Sequence, residues 1–155
     1  MKKVLALSLL CVMFFGVIFC IPAGATEVEE QTVVSVEYLE NGDYIETILV
    51  CYESNARVAS KSGSKTRNYN NSDGDTMWSV TVNGTFTYNG TTSSCVSVSR
   101  SADAYASTWS IKSTSCSRSG NCATATAIAT QKNLIGSTDY TASVNLYCSP
   151  YGILS

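Results

Sequence analysis

The sequence predicts an all-β protein, built as one antiparallel β-sandwich of about eight strands. Three observations predict this class. Apolar and polar residues alternate with period two in several segments. Turn-forming dipeptides, above all Asn-Gly, separate these segments at short intervals. Almost no segment beyond the N-terminal region has the 3.6-residue period of a helix. An immunoglobulin-like sandwich is favoured, and a small β-barrel is the alternative, because periodicity does not separate the two.

Residues 1–25 have the order of a secretory signal peptide. Lys2 and Lys3 precede an apolar run from Val4 to Ile21, and Ala23 and Ala25 supply the small residues that a signal peptidase requires. We therefore expect cleavage after Ala25, secretion, and no stable membrane anchor afterwards. An uncleaved anchor is the alternative, because about 18 apolar residues are near the lower limit for crossing a bilayer.

The rest of the chain is expected to form an acidic N-terminal tail, residues 26–31, and a single sandwich domain, residues 32–155. Eight acidic residues and no basic one lie between Thr26 and Ser54, whereas the chain from Asn55 onward is net positive. Neither region has the charge density of a nucleic-acid-binding surface, so no nucleic-acid partner is expected.

The first strands are predicted by a hairpin signal. Thr32–Leu39 and Tyr44–Tyr52 are rich in β-branched and aromatic residues, and Asn41-Gly42 lies between them. The basic segment that follows predicts a turn at Gly63 and a strand from Lys65 to Tyr69. After it, residues 70–75 have the composition of a loop.

The clearest alternation in the chain predicts a long, half-buried strand. Gly84 within it is expected to mark a bulge or bend, because a flat strand of this length is unusual. The apolar parity of this strand comprises Trp78, Val80, Val82, Gly84, Phe86 and Tyr88.

The second half of the chain predicts further strands. Asn89-Gly90 predicts a turn, and Cys95–Arg100 a strand with Val96 and Val98 facing inward. Trp109 and Ile111 are expected to share a face of the next strand.

A stripe of small residues follows the predicted turn at residues 119–121. Such a stripe lets a large residue such as Trp78 or Trp109 pack closely. A loop from Gln131 to Asp139 is expected before the last strand. The stripe comprises Ala123, Ala125, Ala127 and Ala129, and the inward parity of the last strand comprises Ala142, Val144, Leu146 and Cys148.

The run from Trp78 to Gly90 is followed by Cys95, Trp109, Cys148 and Gly152. These residues resemble those of a group of small secreted proteins of clostridia and related Gram-positive bacteria. The resemblance covers Lys65 to Ser155. It implies export and a β fold, and it implies no particular activity and no functional residues.

Catalytic chemistry is largely excluded by composition. The chain has no histidine, so hydrolases with a histidine base and histidine-ligated zinc sites are ruled out. The segment Ser62-Gly63-Ser64-Lys65 matches the S-x-x-K motif, but it overlaps the K-[ST]-G element that should lie on a distant strand. We therefore expect no enzyme, no catalytic residue, no metal site and no cofactor.

Five cysteines follow the signal peptide, and export favours disulfides among them. Cys116 and Cys122 flank a predicted turn and are expected to pair across the hairpin. Cys95 and Cys148, both next to the core, are expected to pair with each other. Cys51 is then the unpaired thiol, although Cys51 could replace Cys95 in the second bridge.

The predicted function is that of a secreted, non-enzymatic protein that binds a ligand at the cell surface or in the medium. All nine tyrosines lie beyond the signal peptide, and Tyr147 and Tyr151 are the candidates for an exposed binding surface. The alternative is a secreted toxin or bacteriocin-like protein acting on membranes, motivated by the alternating Ala/Thr hairpin from Ala123 to Thr130.

Overall fold

The fold is described from a computed structural model, which describes residues 29–52 and 59–155. The predicted signal peptide and the tail up to residue 28 lie outside these residues. The described chain contains eight strands and no helix. The strands are β1 (Glu29–Tyr38), β2 (Tyr44–Tyr52), β3 (Ser60–Asn70), β4 (Thr76–Tyr88), β5 (Ser93–Ala104), β6 (Trp109–Ser119), β7 (Cys122–Asn133) and β8 (Gly136–Tyr147).

The strands form two antiparallel sheets, one of five strands in the order β1-β2-β3-β4-β5 and one of three in the order β6-β7-β8. The predicted antiparallel β-sandwich is therefore confirmed. The two sheets do not close into a barrel, because β1 and β8 are unpaired edges. Neighbouring strands are consecutive along the chain throughout, so both sheets are meanders. The immunoglobulin-like form favoured from the sequence is therefore wrong, since that fold needs Greek-key crossovers between its sheets.

The core lies between β4 and the smaller sheet. The alternation of β4 is confirmed: its apolar parity faces inward, and Trp78 is only 1% exposed. The alanine stripe of β7 faces it and is completely buried. An ideal Cβ on Gly84 would lie 3.2 Å from Cβ of Ala123, so the two sheets approach closely there. The inward parity predicted for the last strand is also confirmed, and Trp109 and Ile111 pack against the same core.

One sheet has five strands and the other three, and the strands β1 and β2 of the larger sheet extend beyond the smaller one on one side. The backbones of β1 and β2 have neighbours only within their own sheet. On the opposite side β5 and β6 lie close together, and Nη1 of Arg118 donates to the carbonyl of Cys95 at 3.1 Å and to that of Val96. The sandwich is therefore closed along β5 and β6 and open along β8 and β1.

The turns cluster at two ends. The pocket end carries the turns at residues 39–43, 71–75, 105–108 and 134–135. The cysteine end carries the turns at residues 89–92 and 120–121 and the C-terminal segment. At the cysteine end the sheets are joined by hydrogen bonds, including Cys95 N to the carbonyl of Gly120 at 2.8 Å and Ser93 Oγ to the carbonyl of Cys148 at 2.5 Å.

Gly63 lies inside β3, so the turn predicted there is wrong. It faces the core opposite Cys51 of β2 and Gly84 of β4. A Cβ on Gly63 would lie 2.4 Å from Cδ1 of Leu154 and 2.7 Å from the carbonyl oxygen of Val50. The glycine is needed because the C-terminal segment packs directly onto the strand.

The inward position predicted for Val96 is also wrong. The register between β4 and β5 pairs Thr85 with Ser97 but Phe86 with Cys95, so Val96 is the extra residue of a bulge and is exposed. A bulge shifts the alternation by one residue, which a strict period of two does not anticipate.

The loop predicted from Gln131 to Asp139 is a tight hairpin. β7 runs to Asn133 and β8 starts at Gly136, so only Leu134 and Ile135 form the turn. The polar side chains of this hairpin are solvent-exposed and pair across the strands. Their composition therefore does not distinguish the hairpin from a loop.

Candidate ligand-binding site

Four aromatic rings form a continuous series at the pocket end. Tyr69 and Trp78 are stacked with ring centroids 4.1 Å apart and planes 7° apart. The indole of Trp78 stacks on that of Trp109 at 6.1 Å, and Trp109 meets Tyr140 at 5.1 Å with the rings tilted by 47°. The series therefore crosses from the larger sheet to the smaller one.

The register of the strands explains this series. Tyr69 and Trp78 are directly opposite each other on β3 and β4, so their rings share the inner face. In the smaller sheet Trp109 lies opposite Gln131, and Tyr140 lies opposite Ala129. The alanine leaves space beside Tyr140. The Tyr140 hydroxyl donates to Oε1 of Gln131 at 3.2 Å, which orients the amide.

These rings line an open cleft of about 160 Å³ between the two sheets. Its floor is apolar and aromatic, and its rim carries amide and carboxylate groups. The cleft is smaller than the roughly 300–1,000 Å³ typical of drug-sized ligands, so it suits a single ring. The lining residues are Leu39, Asn41, Asp43, Tyr44, Tyr69, Asn70, Met77, Trp78, Trp109, Gln131 and Tyr140.

The polar rim is organised by the β1–β2 turn. Nδ2 of Asn41 donates to Oδ2 of Asp43 at 2.7 Å, and the backbone N–H of Ser72 donates to Oδ1 of the same carboxylate at 3.1 Å. Asn70 is buried, and its Oδ1 accepts from Oγ1 of Thr76 at 2.8 Å. The side chains of the rim are thus held in place before any ligand arrives.

The cleft presents a neutral phenol at Tyr69 and few charges. Burial raises the pKa of Tyr69, an effect that the nearby Arg67 opposes and Glu37 reinforces, so its hydroxyl stays protonated at neutral pH. At the outer part of the β7–β8 hairpin, hydrogen bonds from Lys112 and Thr130 lower the pKa of the Asp139 carboxyl. The arrangement can stack on a ring and form hydrogen bonds.

The tyrosines predicted as a binding surface lie at the cysteine end, away from this cleft. Both are exposed, as predicted, and Tyr151 stands on the C-terminal turn. Tyr147 is opposite Cys122 on the outer face of the smaller sheet, and a hydrogen bond with the Cys122 thiol raises the pKa of its hydroxyl. Their role in binding stays a prediction.

The pairing predicted between Cys116 and Cys122 is corrected by the strand register. A bulge at Lys112 shifts the alternation of β6, so Cys116 lies opposite Ala125 and faces the core side. Cys122 lies opposite Ser119 and faces outward with Tyr147. The two thiols are therefore on opposite faces of the sheet.

The other predicted pair is brought together. Cys95 and Cys148 are both buried in the same core cluster at the cysteine end. Burial raises the pKa of both thiols, and the neighbouring Cys95 raises that of Cys148 further. The described residues contain no disulfide bond. Cys51 is half-buried against the same core, opposite Gly63 of β3, and its status as the leftover thiol stays a prediction.

Sequence reasoning missed the site formed by Tyr69, Trp109, Gln131 and Tyr140. One signal pointed toward it, since Trp78 or Trp109 was expected to pack against the alanine stripe. The sequence does not show, however, which strand ends meet, and that is what assembles the cleft.

Comparison of the chain with protein families, curated proteins and solved structures finds no match. Within residues 29–52 and 59–155, no three histidine, cysteine or acidic side chains are grouped so that they could hold a metal ion. Those residues also form no helix of the length and apolarity needed to cross a membrane.

Proposed function

We propose that this chain is a secreted binding protein that holds a single saccharide ring in the aromatic cleft at the pocket end. The observation that carries the proposal is the combination of the aromatic series from Tyr69 to Tyr140 with the polar side chains of the rim. The proposal gives the predicted extracellular binding function a specific site and ligand class.

The chemistry of a sugar ring matches this combination. One face of a pyranose is lined with C–H groups, which pack against the flat surface of an indole or phenol. The hydroxyls at the edge of the ring need donors and acceptors at fixed positions. The amides of Asn41 and Gln131 supply both kinds of group, and the carboxylate of Asp43 supplies acceptors.

The lining of the cleft favours binding over catalysis. Glycoside hydrolysis needs two carboxyl groups placed across the bond to be broken. Asp43 is the only acidic residue among the described residues that line the cleft. Its carboxylate already accepts hydrogen bonds from Asn41 and Ser72 within the turns.

The membrane-acting alternative is not adopted as the main proposal. It was motivated by the hairpin that begins at Ala123, whose small residues were considered as a lipid-facing surface. That alanine stripe is completely buried against the larger sheet. Exposing it to lipid would require the sandwich to open.

Tryptophan fluorescence gives a direct test, because the only two tryptophans of the chain both line the cleft. The mature protein is titrated with glucose, galactose, mannose and N-acetylglucosamine. At least one sugar is expected to change the emission saturably. Gln131→Ala should lower the affinity for that sugar by about two- to tenfold, which is the contribution of one hydrogen bond.

Tyr151→Ala is the matched control, since it removes an exposed tyrosine at the opposite end. It should leave the affinity unchanged. No change of emission up to roughly 100 mM sugar, well above the millimolar range of weak complexes, would overturn the proposal. Weakening by Tyr151→Ala with no effect of Gln131→Ala would also overturn it, because the site would then lie at the cysteine end.

A further inference from the structure

Two aliphatic side chains stand fully in solvent at the tip of the β7–β8 hairpin. Leu134 and Ile135 expose 107% and 101% of their reference surface, more than any other large hydrophobic residue described. The other exposed large hydrophobic residues are at most 79% exposed, so neighbours cover part of each. This tip has no such cover.

The residue types at this turn are unusual. A two-residue hairpin turn favours Asn, Asp and Gly, which adopt the required backbone angles and are well solvated. Neither Leu134 nor Ile135 has a positive φ, so the backbone does not demand those residue types here, but both side chains are poorly solvated. Their exposure also gives the folded chain nothing, because burial is what makes an apolar side chain stabilising.

We propose that Leu134 and Ile135 insert into the interfacial region of a lipid bilayer and hold the pocket end against a membrane surface. This proposal goes beyond saccharide binding and does not depend on it. It describes peripheral attachment by a hairpin tip, with the sandwich intact, and it requires no strand to cross the membrane.

The small area of the tip favours lipid over a protein partner. Burying one aliphatic side chain removes roughly 100 Å² of apolar surface from water. A stable protein interface covers about 800 Å² on each partner. Two side chains on a convex turn fall far below that value, whereas insertion into lipid needs no complementary surface.

The residues around the tip suit the boundary of a bilayer. Lys132 and Asn133 are exposed directly beside it and would lie at the level of the headgroups. Tyr105 is exposed at the same end, and Tyr140 lies further along β8. Tyrosine is enriched where a protein meets the interface, because its ring has an apolar body and a polar tip.

The charges of the pocket end indicate which lipid headgroups the tip would favour. Glu40, Asp73 and Asp75 are exposed on the neighbouring turns and would be repelled by an anionic surface. Attachment is therefore expected to rest on the apolar tip and to be strongest on zwitterionic lipid.

Vesicle flotation with phosphatidylcholine liposomes tests the proposal on the mature chain. Wild-type protein should float with the vesicles. The double variant Leu134→Ser/Ile135→Ser should bind at least about tenfold more weakly, because two aliphatic side chains no longer enter the bilayer. The matched control Tyr151→Ser/Ile153→Ser, which alters two exposed residues at the cysteine end, should float like wild type.

A second variant reports on insertion directly. In Leu134→Trp, phosphatidylcholine with brominated acyl chains should quench the added tryptophan, whereas the wild-type fluorescence should change little. Wild-type protein that does not float, or a tip variant that floats equally well, would overturn the proposal. A tip variant that changes only self-association would show a protein contact instead.

The outcomes are separable from those of the saccharide proposal. The tip variant should keep its fluorescence response to sugar, and Gln131→Ala should still float. Loss of only one of the two properties therefore identifies which proposal fails.

Discussion

The phenol of Tyr69 lies flat on the indole of Trp78, and the two residues face each other across β3 and β4. Trp78 is buried in the core, whereas Tyr69 is half-buried and borders the cleft. The pair therefore joins the packing of the sandwich to the shape of the site. A change at Trp78 should affect both.

Trp78→Ala is expected to lower the free energy of unfolding by about 3–5 kcal/mol, because it removes a large side chain from the core and leaves a cavity. A domain of this size has a total stability of about 5–15 kcal/mol, so the variant will be close to unfolding. Urea denaturation followed by circular dichroism measures the change.

Thr81→Ala is the control for this experiment. Thr81 lies on the opposite parity of β4, and its hydroxyl meets that of Thr66 at 2.8 Å. Losing one partly buried hydrogen bond should lower stability by about 1 kcal/mol. Similar losses in the two variants would contradict the register described for β4.

Gly63→Ala should destabilise the protein by about 1–3 kcal/mol through overpacking. The new methyl group would meet Leu154 and the carbonyl oxygen of Val50, and the backbone oxygen cannot move aside easily. Thermal unfolding measures the loss. Adding Leu154→Ala should worsen stability less in the Gly63→Ala background than in wild type, because one of the two clashes is relieved. Strictly additive losses would contradict the contact.

Oxidised protein is expected to carry a disulfide between Cys95 and Cys148, which share the core at the cysteine end. By the loop-entropy model, a bridge between such distant parts of the chain contributes roughly 4 kcal/mol. Peptide mapping after thiol blocking identifies the bridge. A linked peptide containing Cys116 and Cys122 would contradict the strand register, which places these residues on opposite faces.

Reduced protein should lose stability as the pH rises above about 9. The folded-state pKa values of Cys95 and Cys148 are raised above the ordinary value of 9.0, mainly by burial. The unfolded chain therefore releases these protons first, so this contribution is complete below that pH and declines above it. Urea midpoints between pH 7 and 10 measure the effect. The variant Cys95→Ser/Cys148→Ser should show a smaller decline, and an equal decline would contradict the assignment.

The signal-peptide prediction has its own test. Protein recovered from the culture medium should begin at Thr26, because cleavage is expected after Ala25. N-terminal sequencing identifies the first residue. An intact N-terminus in the membrane fraction would contradict secretion.

Strands with an undisturbed alternation were predictable from the sequence. The inward residues of β4, β7 and β8 follow from period two alone, because each strand has one face in the core. The wrong assignments of strand faces occur at bulges. The extra residues Val96 and Lys112 shift the alternation, and the faces predicted for Val96 and Cys116 were consequently wrong.

The cleft was less predictable than the strands around it. Tyr69, Trp109 and Tyr140 come from three strands of two sheets, and their contacts depend on how the sheets are placed against each other. Periodicity describes one strand at a time and contains no information on that placement. The exposed tip was missed for a related reason, since the hairpin that carries it has the composition of a loop.

The consecutive order of strands in both sheets affects how the chain can fold. Within each sheet every strand pairs with the one made just before it, so the loops to be closed are short and their closure entropy is small. A chain that emerges from its N-terminal end presents every strand directly after its neighbour. The contact that must wait is the one between β4 and β7, because it brings the two meanders together. Docking of the small sheet onto the large one therefore brings together residues that are far apart along the chain, and it also assembles the aromatic series.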